Sequence, residues 1–424
     1  MKYLYVLLIL LSIDFFSFRP WMELPGHRGF TTIVGFCLLL FSIYCLVINN
    51  KKYLFRNEMI FFLLTFVFSA LSSYVLYRQS PISSFYGSMF YCYAVGMYFM
   101  AHYLKLKYSF VFQMLLYISL FFTAVEIIEQ FTYPNYLFCG RIEKEDNTTV
   151  EQRMGIWRMY VYGIYCCMLC FTLLLQKILD GKNLMENVAF IIVVFVGIVF
   201  FVARKNIYAA VSVVALGFLF GKGKSSFLPK LFLAALLIAL FYILPNIMID
   251  LNEKSANELG NDDFIRFIAA RHFIYDFNGS PLYYLFGAGI PYGESALSAK
   301  ISQLSEYYKI YQSDCGFIGY FSKVGIIGLL PYILIFYKII KNYKFVDLSL
   351  LLYLVILIEL AFFDFFGQQL RNVVPTMLYL YLVEQSIRKN KLKNGRCLNE
   401  TDLRKAVLRM QGLRASLSKE SNRL

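Results

Sequence analysis

Charge is scarce in this 424-residue chain. Asp, Glu, Lys and Arg make up 16% of it against 59% hydrophobic residues, and the mean hydropathy is +0.58. A soluble domain is typically about 45–50% apolar and about 25% charged. The shortage excludes most soluble globular folds and intrinsic disorder, and leaves an integral membrane protein. Several chemical signatures are missing as well. There is no P-loop, no zinc-spaced His/Cys/carboxylate cluster, no G-x-S-x-G and no Rossmann glycine fingerprint. There is no strong twofold repeat of broken helices of the kind many secondary transporters show. Nine cysteines are present, but most lie in apolar runs, where Cys behaves as a small hydrophobe. Cys167 and Cys170 form a C-x-x-C inside such a run, beside Cys166, without a turn or a second pair, so it reads as core. Cys139 is the one cysteine that the charge topology places well outside the membrane on the outer face, and alone it cannot staple anything within its own chain.

What is there is a succession of long apolar runs. A helix needs about 20 apolar residues to cross about 30 Å of hydrocarbon. Twelve runs qualify: 2–18, 30–48, 59–77, 83–103, 109–128, 157–176, 187–203, 206–220, 227–248, 314–337, 345–363 and 372–387. The first has Lys2 and a short apolar stretch but ends in Asp14 and bulky Phe residues rather than a small-residue cleavage site, so it reads as a retained span. The expected fold is all-α and polytopic, with about 12 transmembrane helices over 1–387, one large helical loop at 249–313 and a basic tail at 388–424.

Net charge is +14. Residues 388–424 hold 11 Lys/Arg and 3 acids, so +8 of that surplus lies in the tail. Cytoplasmic loops concentrate Lys and Arg. With the N-terminus inside, the short loops bearing Lys51, Lys52 and Arg56, Lys105 and Lys107, Lys177 and Lys182, Lys222, Lys224 and Lys230, and Lys338, Lys341 and Lys344 all fall on one face, together with the tail. Both termini are then cytoplasmic. The tail reads as a topology anchor that meets anionic lipid, not as a nucleic-acid site.

Three features break that pattern. Arg204 and Lys205 occupy a tight outer-face turn, against the charge rule. They are either snorkelling cations or a fixed site for an anion. Residues 249–313 form the only long loop. Within it, 264–277 reads as a helix whose two faces, Phe264/Phe267/Ile268/Arg271/Tyr275 and Arg266/Ala269/Ala270/Phe273/Phe277, are both largely apolar, so it is expected to be a packed helix rather than a floating one. Arg266 and Arg271 lie about 140° apart around it. His272 follows them. A third group of charges sits at or within spans: Asp14, Glu126, Glu129, Asp314, Lys323, Glu359, Asp364 and Arg371. Lys323 lies about 13 Å into its span, with Glu359 of the next span as its expected partner.

Three local patterns, in order along the chain, resemble the O-antigen polymerase (Wzy-like) family within the O-antigen ligase/polymerase superfamily. They are Val202-Ala203-Arg204 before an apolar helix; Arg266 followed by a short helix and Leu285-Phe286-Gly287-Ala288-Gly289; and Ser313-Asp314-Cys315-Gly316-Phe317 with Gly325-Ile326-Ile327-Gly328. Motif likeness covers only about 200–330. Ala203 replaces the usual Ser, and the His that ligases carry near the entry to the span after the loop is absent from Gln312-Ser313-Asp314.

The resemblance implies a GT-C-like glycosyltransferase in the bacterial plasma (inner) membrane. It would join undecaprenyl-pyrophosphate-linked oligosaccharide repeats on the outer face, for O-antigen, capsule or exopolysaccharide. No metal or cofactor is implied. A chain-length regulator and a flippase are the implied protein partners. Arg204, Arg266, Arg271 and Asp314 become the catalytic candidates. Lys205, His272, Arg371 and Lys323 become the substrate-binding ones. Loop aromatics, Phe273, Tyr275, Tyr283, Tyr284, Tyr292, Tyr307, Tyr308 and Tyr311, would stack on sugars or form an interfacial belt. A ligase acting on a lipid acceptor and a lipid-linked oligosaccharide flippase are the alternatives.

Overall fold

The computed structural model describes residues 2–47, 53–132, 135, 137–138, 151–153, 156–159, 161–221 and 265–394. Helices α1 (Lys2–Ser12), α2 (His27–Val47), α3 (Arg56–Tyr77), α4 (Pro81–Tyr103) and α5 (Tyr108–Thr132) come first. A short antiparallel pair follows, β1 (Glu151–Arg153) with β2 (Ile156–Arg158). Then come α6 (Ile164–Leu179), α7 (Leu184–Phe200) and α8 (Arg204–Phe220). After residue 264 the chain forms α9 (Ile265–Arg271), which runs into a π-helical turn, α10 (Pro281–Phe286), α11 (Ala296–Tyr307), α12 (Gly316–Lys341), α13 (Leu348–Ala361) and a last helix, α14, over 370–394.

The described chain is therefore overwhelmingly helical. Helices occupy eleven of the twelve apolar runs, and the ninth, 227–248, lies outside the described residues. Four helical segments are long and apolar enough to cross a membrane: His27–Val47, Arg56–Tyr77, Tyr108–Thr132 and Gln312–Lys341. Shorter apolar helices accompany them. On α2 and α3 the outward positions are as apolar as the inward ones: Ile33, Leu40, Val47, Val67 and Leu71 are all exposed. A helix apolar all round needs an apolar surrounding on its free side, which fits an all-α membrane protein.

Side-chain links tie the bundle at two ends. At one, Lys338 Nζ meets Glu58 Oε1 at 2.7 Å, Tyr381 Oη donates to the Leu106 carbonyl at 2.6 Å and Asn390 Nδ2 donates to the Phe345 carbonyl at 2.9 Å. At the other, Tyr165 Oη donates to the Asp364 carbonyl at 2.9 Å and Ser72 Oγ to the Gly287 carbonyl at 2.5 Å. The core between them contains Cys166, Cys167 and Cys170, all fully buried. Helix α14 reaches both ends. It continues past 387, so 388–394 are its last turns, while 395–424 lie outside the described residues.

Three local expectations change. The first apolar run is not one helix: Asp14, Phe15, Phe16 and Ser17 form a left-handed turn, with φ between 47° and 64°. Such a turn of L-residues costs about 1–2 kcal/mol per residue. Tertiary contacts hold it: Phe16 is 4% exposed, and Ser17 Oγ accepts from the Tyr162 N–H at 3.0 Å. The helix at 265–276 is packed, as expected, but among the described residues it packs through one face. Ala269, Phe273 and Phe277 enter a small core of their own with Tyr283, Leu297, Leu304 and Ile310. Phe267, Ile268 and Tyr275 stay exposed. Residues 261–264, where the expected helix begins, lie outside the described residues. Finally, Glu359 accepts from Ser212 Oγ at 2.9 Å and makes no ion pair with Lys323. The two lie on α12 and α13, which touch only sparsely.

Candidate functional site

Helix α12 is broken at Gly325, whose φ of 66° interrupts the helical ladder. The loop docks into that break. Gly287 has φ +76°, and a Cβ there would sit 2.3 Å from the Lys323 carbonyl carbon. At Gly325 a Cβ would sit 2.3 Å from Leu285 backbone. Only glycine permits so close an approach of two backbones. The freed carbonyls are then satisfied across the gap. Ala288 N–H donates to Ser322 O at 2.8 Å and Gly289 N–H to Lys323 O at 3.0 Å, while Ser69 Oγ also donates to Lys323 O at 2.6 Å. Two of the sequence patterns, the Gly287-Ala288-Gly289 element and the Gly325 region, thus meet in one backbone junction.

The chain leaving that junction, Ile290-Pro291-Tyr292, forms one wall of a cavity of about 770 Å³. The cavity lies at the bundle end where α1 gives way to α2, where α4 begins and where α14 begins. Its charged lining is Asp14, Arg19, Glu23, Arg28 and Arg371, with His27 beside them. Arg19 Nε pairs with Glu23 Oε1 at 2.7 Å. Arg28 has no ion-pair partner among the described residues. Arg371 lays its guanidinium over the Tyr162 ring, 3.8 Å from the centroid. Tyr86 and Tyr292 stack on the wall with centroids 5.9 Å apart, both partly exposed to the space. Cations and open aromatic faces in one concave space suit a ligand that is anionic at one end and carries sugar-like C–H faces.

The candidates from sequence are not gathered in one place. Arg371 lines the cavity. Lys205 is tied to its neighbourhood: Lys205 Nζ meets Asp364 Oδ2 at 2.9 Å, and Asp364 Oδ1 accepts from Asn372 Nδ2 at 3.3 Å, one residue from Arg371. Arg204 opens α8 beside Lys205. The preceding Val202 has φ +51° while buried, an unusual conformation for a β-branched residue that turns the chain sharply into α8. Arg266 and Asp314 form a second locus. Helix α9 packs against the 3₁₀ turn Gln312–Cys315, and both charges act on the Cys315 thiol between them. Asp314 is exposed and accepts from Ser313 Oγ at 3.2 Å. Arg271 is exposed at the end of α9.

His272 is half-buried. Desolvation pushes its pKa below the usual 6.5, Asp276 opposes that shift and Lys300 adds to it. Its Nε2 is buried without a hydrogen-bond partner among the described residues. Lys323 stands at the helix break, and the part it plays there is through its backbone carbonyl. Among the loop aromatics, Phe273 and Tyr283 are fully buried in the loop core and cannot stack on sugar, whereas Tyr292 can.

Sequence reasoning passed over Arg19, Arg28 and Asp14 as site residues. The signal was present, because Arg19 and Arg28 lie on the same outer side as Arg371 in the charge topology. What the sequence could not supply was the left-handed turn at 14–17 that brings Asp14 and the following segment over the cavity. No protein-family model matches the chain, and no match is found among the curated proteins.

Proposed function

We propose that the chain is a polysaccharide polymerase of the outer face of the bacterial plasma membrane, joining undecaprenyl-pyrophosphate-linked oligosaccharide repeats. In this reading it has about twelve spans, a GT-C-like arrangement and both termini in the cytoplasm. The observation that carries it is the cavity in which Arg28, Arg371 and the Tyr86–Tyr292 pair share one space, walled by the chain that leaves the glycine junction.

The acceptor sugar hydroxyl attacks the anomeric carbon of the donor glycan. A new C–O bond forms, the bond to the pyrophosphate oxygen breaks, and the polyprenyl pyrophosphate leaves with added negative charge. Cations placed where that charge develops lower the barrier. Guanidinium pairs suit phosphate oxygens better than lysine point charges. Arg371 and Arg28 would hold the pyrophosphate in the cavity, with Arg204 and Lys205 behind Asp364. Arg266 and Arg271 would be brought by the loop, and the hydroxyl proton would pass to a carboxylate, for which Asp314 is the candidate.

The test uses Arg371→Ala, Arg28→Ala, Arg204→Ala and Arg266→Ala in cells that make the polymer. Each variant should remain in the membrane at normal abundance while surface glycan collapses to single repeats. Normal chain lengths in both Arg371→Ala and Arg28→Ala would defeat the proposal. Intact polymer left on the carrier lipid would point to a ligase. Repeats trapped on the inner face would point to a flippase.

A further inference from the structure

The opposite end of the bundle holds a second cavity, of about 480 Å³, whose charged lining is Arg56, Lys338, Arg388, Lys391 and one acid, Glu384. It is separate from the first. Helix α14 contributes Arg371 to one and Arg388 to the other, and seventeen residues of helix span about 25 Å, close to the thickness of a bilayer core.

Its charges do not cancel. Lys338 is matched by Glu58 at 2.7 Å. Glu384 is fully engaged: it pairs with Arg388, accepts from Tyr98 Oη at 2.6 Å and lies 3.3 Å from His102 Nε2. Lys391 has an aromatic neighbour, Phe345, 5.3 Å from its Nζ, and no carboxylate partner among the described residues. Arg56 donates through Nη2 to the Leu46 carbonyl at 2.8 Å, but its Nε is buried with no hydrogen-bond partner among the described residues. Buried donors are almost always satisfied. Here a guanidinium with one unmet donor lines a space with surplus positive charge.

We infer that this cavity is a site for a phosphate-bearing anion, supplied by the headgroup of an anionic phospholipid at the membrane surface. A phosphodiester oxygen would accept from the Arg56 guanidinium, and Lys391 would close on the same group. Leu54 and Ile387 line the cavity beside these cations and give the glycerol backbone an apolar wall. The site is independent of the polymerase reading, because binding, not glycan synthesis, is what it predicts.

The full-length protein is reconstituted in nanodiscs of phosphatidylcholine, alone or mixed with phosphatidylglycerol. Retained lipid is counted by native mass spectrometry and thermal unfolding is followed in parallel. The wild type should retain phosphatidylglycerol selectively and unfold at higher temperature with it. Lys391→Gln should weaken retention about fivefold, the effect of one cation near an anionic surface. Arg56→Gln should abolish it, and Lys344→Gln, which removes an exposed cation outside the cavity, should leave it unchanged. Should Arg56→Gln fail to fold, Arg56→Lys and Lys391→Gln carry the same comparison. Stabilisation by inorganic phosphate in detergent, equal to that by phosphatidylglycerol, would keep the site and assign it to a soluble phosphate. Equal retention of the two lipids by the wild type would overturn the inference. So would a loss in Lys344→Gln as large as in Lys391→Gln, which would mean diffuse attraction rather than a built site.

Discussion

Gly289 donates its N–H to the carbonyl of Lys323 at 3.0 Å, so the large loop is hydrogen-bonded into a broken helix rather than resting on it. The break lets the loop backbone take the place of the missing helical turn. The same junction sets the position of Ile290-Pro291-Tyr292 and hence one wall of the larger cavity.

Gly287→Ala tests that junction against Gly293→Ala. Both glycines have positive φ, but a Cβ at Gly293 meets nothing within 4 Å, whereas at Gly287 it would lie 2.3 Å from Lys323. Gly287 also has ψ −179°, a backbone region open essentially to glycine alone and worth about 1–3 kcal/mol, so strain and clash act there in the same direction. The clash at Gly287 should add about 1–3 kcal/mol, read as the difference in thermal stability of the purified proteins. Equal stabilities would mean that the loop is not seated in the break.

Lys205 and Asp364 should be energetically coupled. Their side chains are 28% and 23% exposed, so neither is fully screened by solvent. A double-mutant cycle of Lys205→Gln and Asp364→Asn should give a coupling of about 1 kcal/mol. Strictly additive losses would show that the turn between α7 and α8 is not held to the 364–372 segment by this pair.

The apolar runs were legible because long apolar stretches are a property of composition alone, and each described run is mainly helical, although the first breaks at 14–17 and the sixth becomes helical only from Ile164. The one-sided packing of 265–276 was not. An apolar face reads the same whether it meets protein core, as Phe273 does, or stays exposed, as Tyr275 does. The left-handed turn at Asp14-Phe15-Phe16-Ser17 contains no glycine or asparagine to announce it, and only tertiary contacts hold it. Arg371 was visible as a charge at the edge of a span. Its closeness to Arg28 depends on that unannounced turn. The expected Lys323–Glu359 pair does not form, because α12 and α13 touch only sparsely, and Glu359 accepts from Ser212 of α8 instead.

Glu126 is fully buried on α5, and neither carboxylate oxygen has a hydrogen-bond partner among the described residues. Its neighbour Glu129, by contrast, accepts from the Leu137 and Phe138 N–H groups at 3.0 and 3.2 Å. An unsatisfied buried polar group costs about 1–3 kcal/mol. Glu126→Leu should therefore raise stability by that order, seen as a higher unfolding temperature, while Glu129→Leu lowers it. Destabilisation by Glu126→Leu would reveal a partner for this carboxyl beyond the described residues.

His272 gives the loop a pH dependence with a definite sign. Burial lowers its folded pKa below the unfolded value of 6.5, against the pull of Asp276 and with the push of Lys300. The unfolded chain therefore binds the proton more readily, and stability rises with pH through this window. The contribution is fully present above pH 6.5 and is lost as pH falls through the lower folded pKa. His272→Phe keeps an aromatic ring beside Phe273 and Phe277 but cannot be protonated. Its unfolding temperature should fall less than that of the wild type between pH 7 and about pH 5, the range in which histidine titrates. Parallel curves for the two proteins would remove His272 as the source. The same shift bears on function. On the proposed reading, a lowered pKa favours the neutral imidazole, which would offer a pyrophosphate a hydrogen bond and leave the cationic role to arginine.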